Sequence, residues 1–176
     1  ALDAFTTDSA AGGSALATGE RHDNRHISMS SEGEPYPSLS DFFHDKGMPV
    51  GVLTLGNVAD ATPTAFYGHS VERDNADELT RCLMDGRVDL LCGSGIREFT
   101  RRSDGVDLIS ELEKQYDFVR SVDEITARKG KVICIDETMD DAAEQANLTL
   151  LADATRAAIA KLQEQGGKGF FLMVEG

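Results

Sequence analysis

"MPVGVLTLG", Met48 to Gly56, is followed closely by "ATPTAFYGHSVERDNADELTRCLMDG", Ala61 to Gly86. A short Val/Leu run bounded by Pro49 and Gly56 reads as a strand buried on both faces, the pattern of a parallel sheet. In the segment after it, Thr62 is expected to cap a helix with Pro63 in its first turn, and the helix is expected to break near Asp74-Asn75 and restart. Strand then helix is half of a parallel crossover unit. The same alternation runs outward in both directions. "SLSDFFHDKG" before it reads as a helix with Leu39, Phe42 and Phe43 on one face and Gly47 as its stop. After it come "VDLLCGSG" as a strand, "LISELEKQYD" as a helix, "KVICIDE" as a strand, "LLADATRAAIAKLQEQGG" as an amphipathic helix and "GFFLMVEG" as a last strand. The pattern predicts a single α/β domain over residues 1–176, with a mainly parallel sheet built from strands near Val50–Leu55, Val88–Leu91, Lys131–Ile135 and Gly169–Val174, and helices on both faces.

Composition narrows the function. The 176 residues carry 31 acidic and 17 basic side chains, a net charge of −14, which opposes binding to nucleic acid or an anionic membrane by electrostatics alone. No apolar run approaches the length of a membrane span. Cys82, Cys92 and Cys134 lack metal-ligand spacing, and an odd number cannot pair fully within one chain. The acidic run "DETMDDAAEQ" reads as a solvated helix start, because no loop glycine accompanies it as in a calcium site. His22, His26, His44 and His69 each read as structural histidines.

The chemistry concentrates where strands hand over to helices. In "TTDSAAGGSALATGE", Thr6 to Glu20, Thr7 or Asp8 can cap a helix whose first turn holds Ser9, which sets the Ser9 hydroxyl beside unpaired N–H groups and the positive helix end. An ordinary capped helix packed closely through Ala and Gly is the alternative reading. Asp60 and Thr62 follow the first strand, Arg73 lies thirteen residues beyond Asp60, and Glu175 ends the last strand. In open α/β sheets ligands sit beyond the carboxyl ends of the strands. A hydroxyl nucleophile, three oxygen ligands for a hard cation and a planar guanidinium at that address are the parts of a phosphoryl-transfer site. No GxSxG elbow surrounds Ser9, and no GK[ST] follows a glycine loop, so acyl-transfer and P-loop chemistry are disfavoured.

"TDSAAGGSALATG" resembles the nucleophile segment of alkaline phosphatases. "DATPTAFYGHSVER" resembles their Asp/His-Ala-Thr/Ser-Pro segment ending in the phosphate-binding arginine, and "GFFLMVEG" resembles the strand with their magnesium-binding glutamate. "VDLLCGSGIREF" and "LADATRAAIAKL" are fainter echoes. Ser14 stands where many members have threonine. The resemblance implies a phosphomonoesterase in which Ser9 forms a phosphoserine, Arg73 binds two phosphate oxygens, Asp8 orients Arg73, and Asp60, Thr62 and Glu175 gather around magnesium. It further implies a phosphate monoester substrate, a homodimer, and a periplasmic, secreted or surface-anchored location. The family also uses two zinc ions. Their ligands lie upstream of the nucleophile strand and downstream of the glutamate, and none of the four histidines here matches them. The expectation is therefore an internal fragment of a phosphomonoesterase of this family, inactive in isolation; the alternative is a noncatalytic fragment of the same fold that binds phosphate or metal or dimerises.

Overall fold

A computed structural model gives the structure of residues 1–140 and 148–176. One sheet contains β1 (Val50–Asn57), β2 (Leu90–Ser94), β3 (Tyr116–Val119), β4 (Lys131–Ile135) and β5 (Phe171–Glu175), in the order β3-β4-β2-β1-β5. Every neighbouring pair is parallel. Because strand side chains alternate between faces, the sheet has two cores. Val50, Val52, Leu91, Ile133 and Ile135 face one; Leu53, Leu90, Cys92, Val132 and Cys134 face the other.

The first core is closed by Ala10 and Ala17 of α1 (Ser9–Thr18), Ala61 of α3 (Ala61–Thr64), Leu79 of α4 (Ala76–Arg81), Phe99 of α5 (Arg97–Thr100), and Leu108 and Leu112 of α6 (Leu108–Leu112). The second is closed by Ala154, Ala158 and Leu162, spaced at every fourth position along one face of α7 (Leu148–Gln165). Hydrophobic burial on both faces is what makes the strands read as unbroken apolar runs rather than alternating ones.

The expected strands correspond to β1, β2, β4 and β5. Three local readings are corrected. "LISELEKQYD" is not one helix: α6 ends at Leu112 and Tyr116 begins β3. The buried Tyr116 hydroxyl donates to the Leu83 and Val88 carbonyls at 3.1 and 3.0 Å, so tertiary bonding and pairing with β4 override local helix preference. Thr62 is not a cap either. Asp60 holds the N-cap position of α3 and makes no side-chain cap bond there; α3 ends at Thr64, well before the break expected near Asp74-Asn75, and a separate helix starts at Ala76 behind Asn75, whose side chain accepts from the Glu78 amide. On α2 (Leu39–Asp45) only Phe43 of the expected face turns inward, stacking on Phe171 at 5.1 Å, whereas Leu39 and Phe42 are 40% and 53% exposed. Of "DETMDDAAEQ", residues 141–145 lie outside the described residues.

The small residues of α1 have a packing role. A Cβ on Gly13 would sit 3.3 Å from the Thr62 Cα and 3.4 Å from the Ala65 Cβ, so α1 lies against α3 at a distance that larger side chains would forbid. Gly93 in β2 is tighter still: a Cβ there would meet Val58 Cγ1 at 2.7 Å, the Gly56 carbonyl oxygen at 2.9 Å and Thr54 Cγ2 at 2.9 Å. Backbone is among those atoms, so β1 would have to move. Gly93→Ala is expected to cost about 1–3 kcal/mol of stability, read as a lower urea midpoint; an unchanged midpoint would show that β1 yields freely.

Candidate active site

Asp8 organises the site. As the N-cap of α1 its carboxylate accepts from the Ala11 amide at 2.9 Å through Oδ1, and through Oδ2 from the Arg25 amide, also at 2.9 Å. The same Oδ2 lies 3.6 Å from Arg73 Nη1. Arg73 in turn donates from Nη1 to Ser9 Oγ at 3.3 Å. The capped helix start therefore presents a hydroxyl and a guanidinium side by side, next to the first-turn amides of Ser9 and Ala10, which a helix leaves without internal acceptors. Burial acts to raise the Asp8 pKa, but the hydrogen bonds from Ala11 and Arg25 and the charge of Arg73 outweigh it, and the carboxyl is held below the usual range.

Arg73 stands in the turn between α3 and α4, with its side chain 25% exposed. Asp60 precedes α3, and Glu175 ends β5. Parallel register places Glu175 opposite Thr54 of β1, and the Thr54 hydroxyl donates to Glu175 Oε2 at 2.8 Å while accepting from the Gly56 amide at 3.0 Å. A Cβ on Gly56 would contact both Asp60 Oδ2, at 3.6 Å, and Thr54 Oγ1, at 3.7 Å. Gly56 thus lies within ordinary packing distance of both the Asp60 carboxylate and the Thr54 hydroxyl that binds Glu175. Burial, then the negative charge of Glu175, raise the Asp60 pKa; Asp140 and Glu98 add to this, and Arg73 opposes it. Arg73 acts electrostatically on Asp8 and Asp60 alike, so the nucleophile candidate and the acidic pair share one field.

Thr62 is the second residue of α3 and half-buried. Among the described residues no three Asp, Glu, His or Cys side chains gather closely enough to hold a metal by themselves. An Asp60 carboxylate whose ionisation burial and Glu175 disfavour, with a hydroxyl residue two positions on, is the kind of acidic site that magnesium occupies, since it needs few protein ligands and keeps waters on the rest. The histidines serve the backbone: His22, His26 and His69 donate from Nδ1 to the carbonyls of Met29, Ser30 and Ser28, at 2.8, 3.1 and 3.1 Å.

Sequence reasoning passed over Asn24, Arg25 and Thr54. Asn24 accepts from the Asp8 amide at 2.9 Å through its side chain, and Arg25 reaches Glu72 and Asp74 on either side of Arg73. Nothing in "RHDNRH" marks that reach, because it spans 47 and 49 positions.

Known proteins match this chain in sequence and in fold. The sequence profile of alkaline phosphatases fits residues 1–176. The chain belongs to the alkaline phosphatase family. It is 32% identical to alkaline phosphatase 4 of Bacillus subtilis over 97% of this chain and 39% of that protein. It is 29% identical to streptomycin-6-phosphate phosphatase of Streptomyces griseus over 98% of this chain and 51% of the relative. Among solved structures, the cold-active alkaline phosphatase of a psychrophilic Shewanella superposes with a TM-score of 0.84 at 27% identity, covering 99% of this chain and 43% of that one. A TAB5 alkaline phosphatase variant with Mg bound superposes at 0.86 and 25% identity, covering 96% and 50%. The chain thus spans about two fifths to one half of these relatives.

Replacing Asp8 tests its place at the centre. Asp8→Ala is expected to cost about 1 kcal/mol through loss of the cap, while Asp8→Asn keeps most of that. Since the folded pKa is depressed, the contribution of the ionised carboxylate is present above the unfolded value of about 4 and fades as pH falls through the folded one. The stability gap between wild type and Asp8→Asn, measured by urea unfolding, should therefore close below pH 4; a gap constant down to pH 2 would contradict the charge assignment.

Proposed function

We propose that this chain carries the phosphate-binding and nucleophile-bearing part of a phosphomonoesterase acting through a phosphoserine. The observation that supports it most is the Arg73 Nη1 to Ser9 Oγ hydrogen bond of 3.3 Å at a capped helix start. A phosphate ester placed there would meet a cation matched to its oxygens, amide donors and a hydroxyl. Ser9 Oγ forms the bond to phosphorus as the ester P–O bond breaks and the alcohol leaves; water then cleaves the phosphoserine, releasing inorganic phosphate and restoring the hydroxyl. Arg73 compensates the charge of the transferring group, and Asp8 fixes Arg73 against Ser9. Asp60, Thr62 and Glu175 are assigned to magnesium, with Thr54 orienting Glu175. A bound metal supplies charge stabilisation and lowers the pKa of an oxygen nucleophile.

The substrate class is a phosphate monoester, and the two zinc ions, the homodimer and a periplasmic, secreted or surface-anchored location belong to the same reading, carried by the family alone, while the single α/β domain rests on the alternation of strands and helices. A second reading, binding without turnover, is favoured for these 176 residues in isolation by the share of each relative that they span. Both are tested together. Hydrolysis of an aryl phosphate by the 176 residues at alkaline pH, with zinc and magnesium added, is expected at the buffer rate; a rate abolished by Ser9→Ala would show that these residues suffice. In a chain of the relatives' length, Ser9→Ala should remove nearly all turnover. Arg73→Ala should raise KM and lower kcat while leaving phosphoserine formation detectable, and equal phosphate affinity in wild type and Arg73→Ala would overturn the assignment of Arg73.

Magnesium has its own readout. The Asp60/Glu175 repulsion should be relieved by the ion, so added magnesium is expected to raise the thermal midpoint of wild type and to have a smaller effect on Glu175→Gln. An equal rise in both would remove Glu175 from the site.

A further inference from the structure

Arg25 is a non-glycine residue with a left-handed φ of 71°, a conformation that persists in most side chains only where the surroundings hold it. Both ends of the residue are engaged at the site. Its amide donates to Asp8 Oδ2 at 2.9 Å. Its side chain donates from Nε to Glu72 Oε2 at 2.9 Å and from Nη2 to Glu72 Oε1 at 2.5 Å, and Nη2 also donates to Asp74 Oδ2. Glu72 and Asp74 are the two sequence neighbours of Arg73. Left alone, they would set two negative charges against the one guanidinium assigned to phosphate, in a chain that already carries a net −14. With Arg25 in place, the Arg73 Nε remains 3.9 Å from Asp74 Oδ1, too far for a hydrogen bond, while its Nη1 points to Ser9. Glu72 is also held from the other side, accepting from the Asp74 amide at 3.0 Å.

We propose that Arg25 is a positioning residue for phosphate binding: by occupying the carboxylates of Glu72 and Asp74 it leaves Arg73 free for an anionic ligand. The proposal rests on the assignment of Arg73 to phosphate. As exposed ion pairs these contacts contribute little to stability; their consequence is the sign of the local field that an incoming dianion meets. The two loops do not depend on the side chain for their docking, because Ile27 and Ser70 exchange backbone hydrogen bonds at 2.7 and 3.1 Å.

Arg25→Gly isolates the effect, since glycine adopts the same φ without strain and keeps the amide that binds Asp8. Inorganic phosphate is titrated calorimetrically into the 176-residue chain, into Arg25→Gly, into Arg25→Gly/Glu72→Gln/Asp74→Asn, and into Arg73→Ala. Arg25→Gly is expected to bind phosphate about tenfold more weakly, from two uncompensated charges several ångströms away. The triple variant should regain most of that loss, and the gap between Arg25→Gly and wild type should narrow as salt rises. Unchanged affinity in Arg25→Gly would overturn the proposal. So would a loss that the triple variant does not restore, which would make Arg25 a direct phosphate ligand. Absence of phosphate binding in wild type, or an Arg73→Ala variant that binds equally well, would instead overturn the Arg73 assignment and the Arg25 role with it. Near-ultraviolet circular dichroism of each variant confirms that the fold compared is the same.

Discussion

The carboxylate of Asp8 is where three separate parts of the chain meet. One oxygen closes the first turn of α1 and the other binds the Arg25 amide and faces Arg73. A helix start, a loop with a left-handed residue and a cation more than sixty positions away are thereby fixed in one geometry. Each interaction is modest alone, of the order of 1 kcal/mol for a cap. Their effect is positional: Ser9, the first residue of the helix that Asp8 caps, is set against Arg73 by the same carboxylate that closes the helix start. Side chains that must meet a ligand within tenths of an ångström are best mounted on elements held this way.

Parallel sheet register does the corresponding work for the acidic side of the site. Thr54 and Glu175 are 121 positions apart, yet they are register partners in β1 and β5 and share a hydrogen bond of 2.8 Å. All strands point the same way, so their carboxyl ends, and the loops that follow them, fall along one edge. That edge concentrates negative charge. Burial and Glu175 already push Asp60 toward its neutral form, and the structure sets cations against that excess: Arg73 within the site, and Arg25 over the acidic neighbours of Arg73.

Packing by small residues connects the two sides. Gly13 lets α1 approach the backbone of α3, and Gly93 lets β2 lie close to the end of β1 and the turn after it. Larger side chains at these places would shift the elements bearing Ser9, Asp60 and Thr62 relative to one another. The glycine- and alanine-rich stretch after Ser9 therefore forms a closely packed helix, and the same packing sets the Ser9 hydroxyl beside Arg73.

What the sequence determined by itself is what depends on local order and periodicity. Unbroken apolar runs marked β1, β2, β4 and β5; in β1, β2 and β4 burial on both faces accounts for them, whereas β5 is an edge strand with Val174 41% exposed. Asp8 before Ser9 marked a cap, since only a short acceptor side chain reaches back to the first-turn amides. The segments "TDSAAGGSALATG", "DATPTAFYGHSVER" and "GFFLMVEG", which hold Ser9, Asp60, Thr62, Arg73 and Glu175, resembled those of alkaline phosphatases. Tertiary structure alone decided the rest. Tyr116 left the expected helix because its hydroxyl finds two carbonyls and its backbone an edge strand. Asp60 took the cap position without using its side chain as a cap, leaving the carboxylate within the electrostatic reach of Glu175. Arg25, Asn24 and Thr54 entered the site through partners 16 to 121 positions distant. Such contacts leave no periodic trace, because they are set by how the loops at one sheet edge fold over each other rather than by which face of a helix or strand a residue occupies.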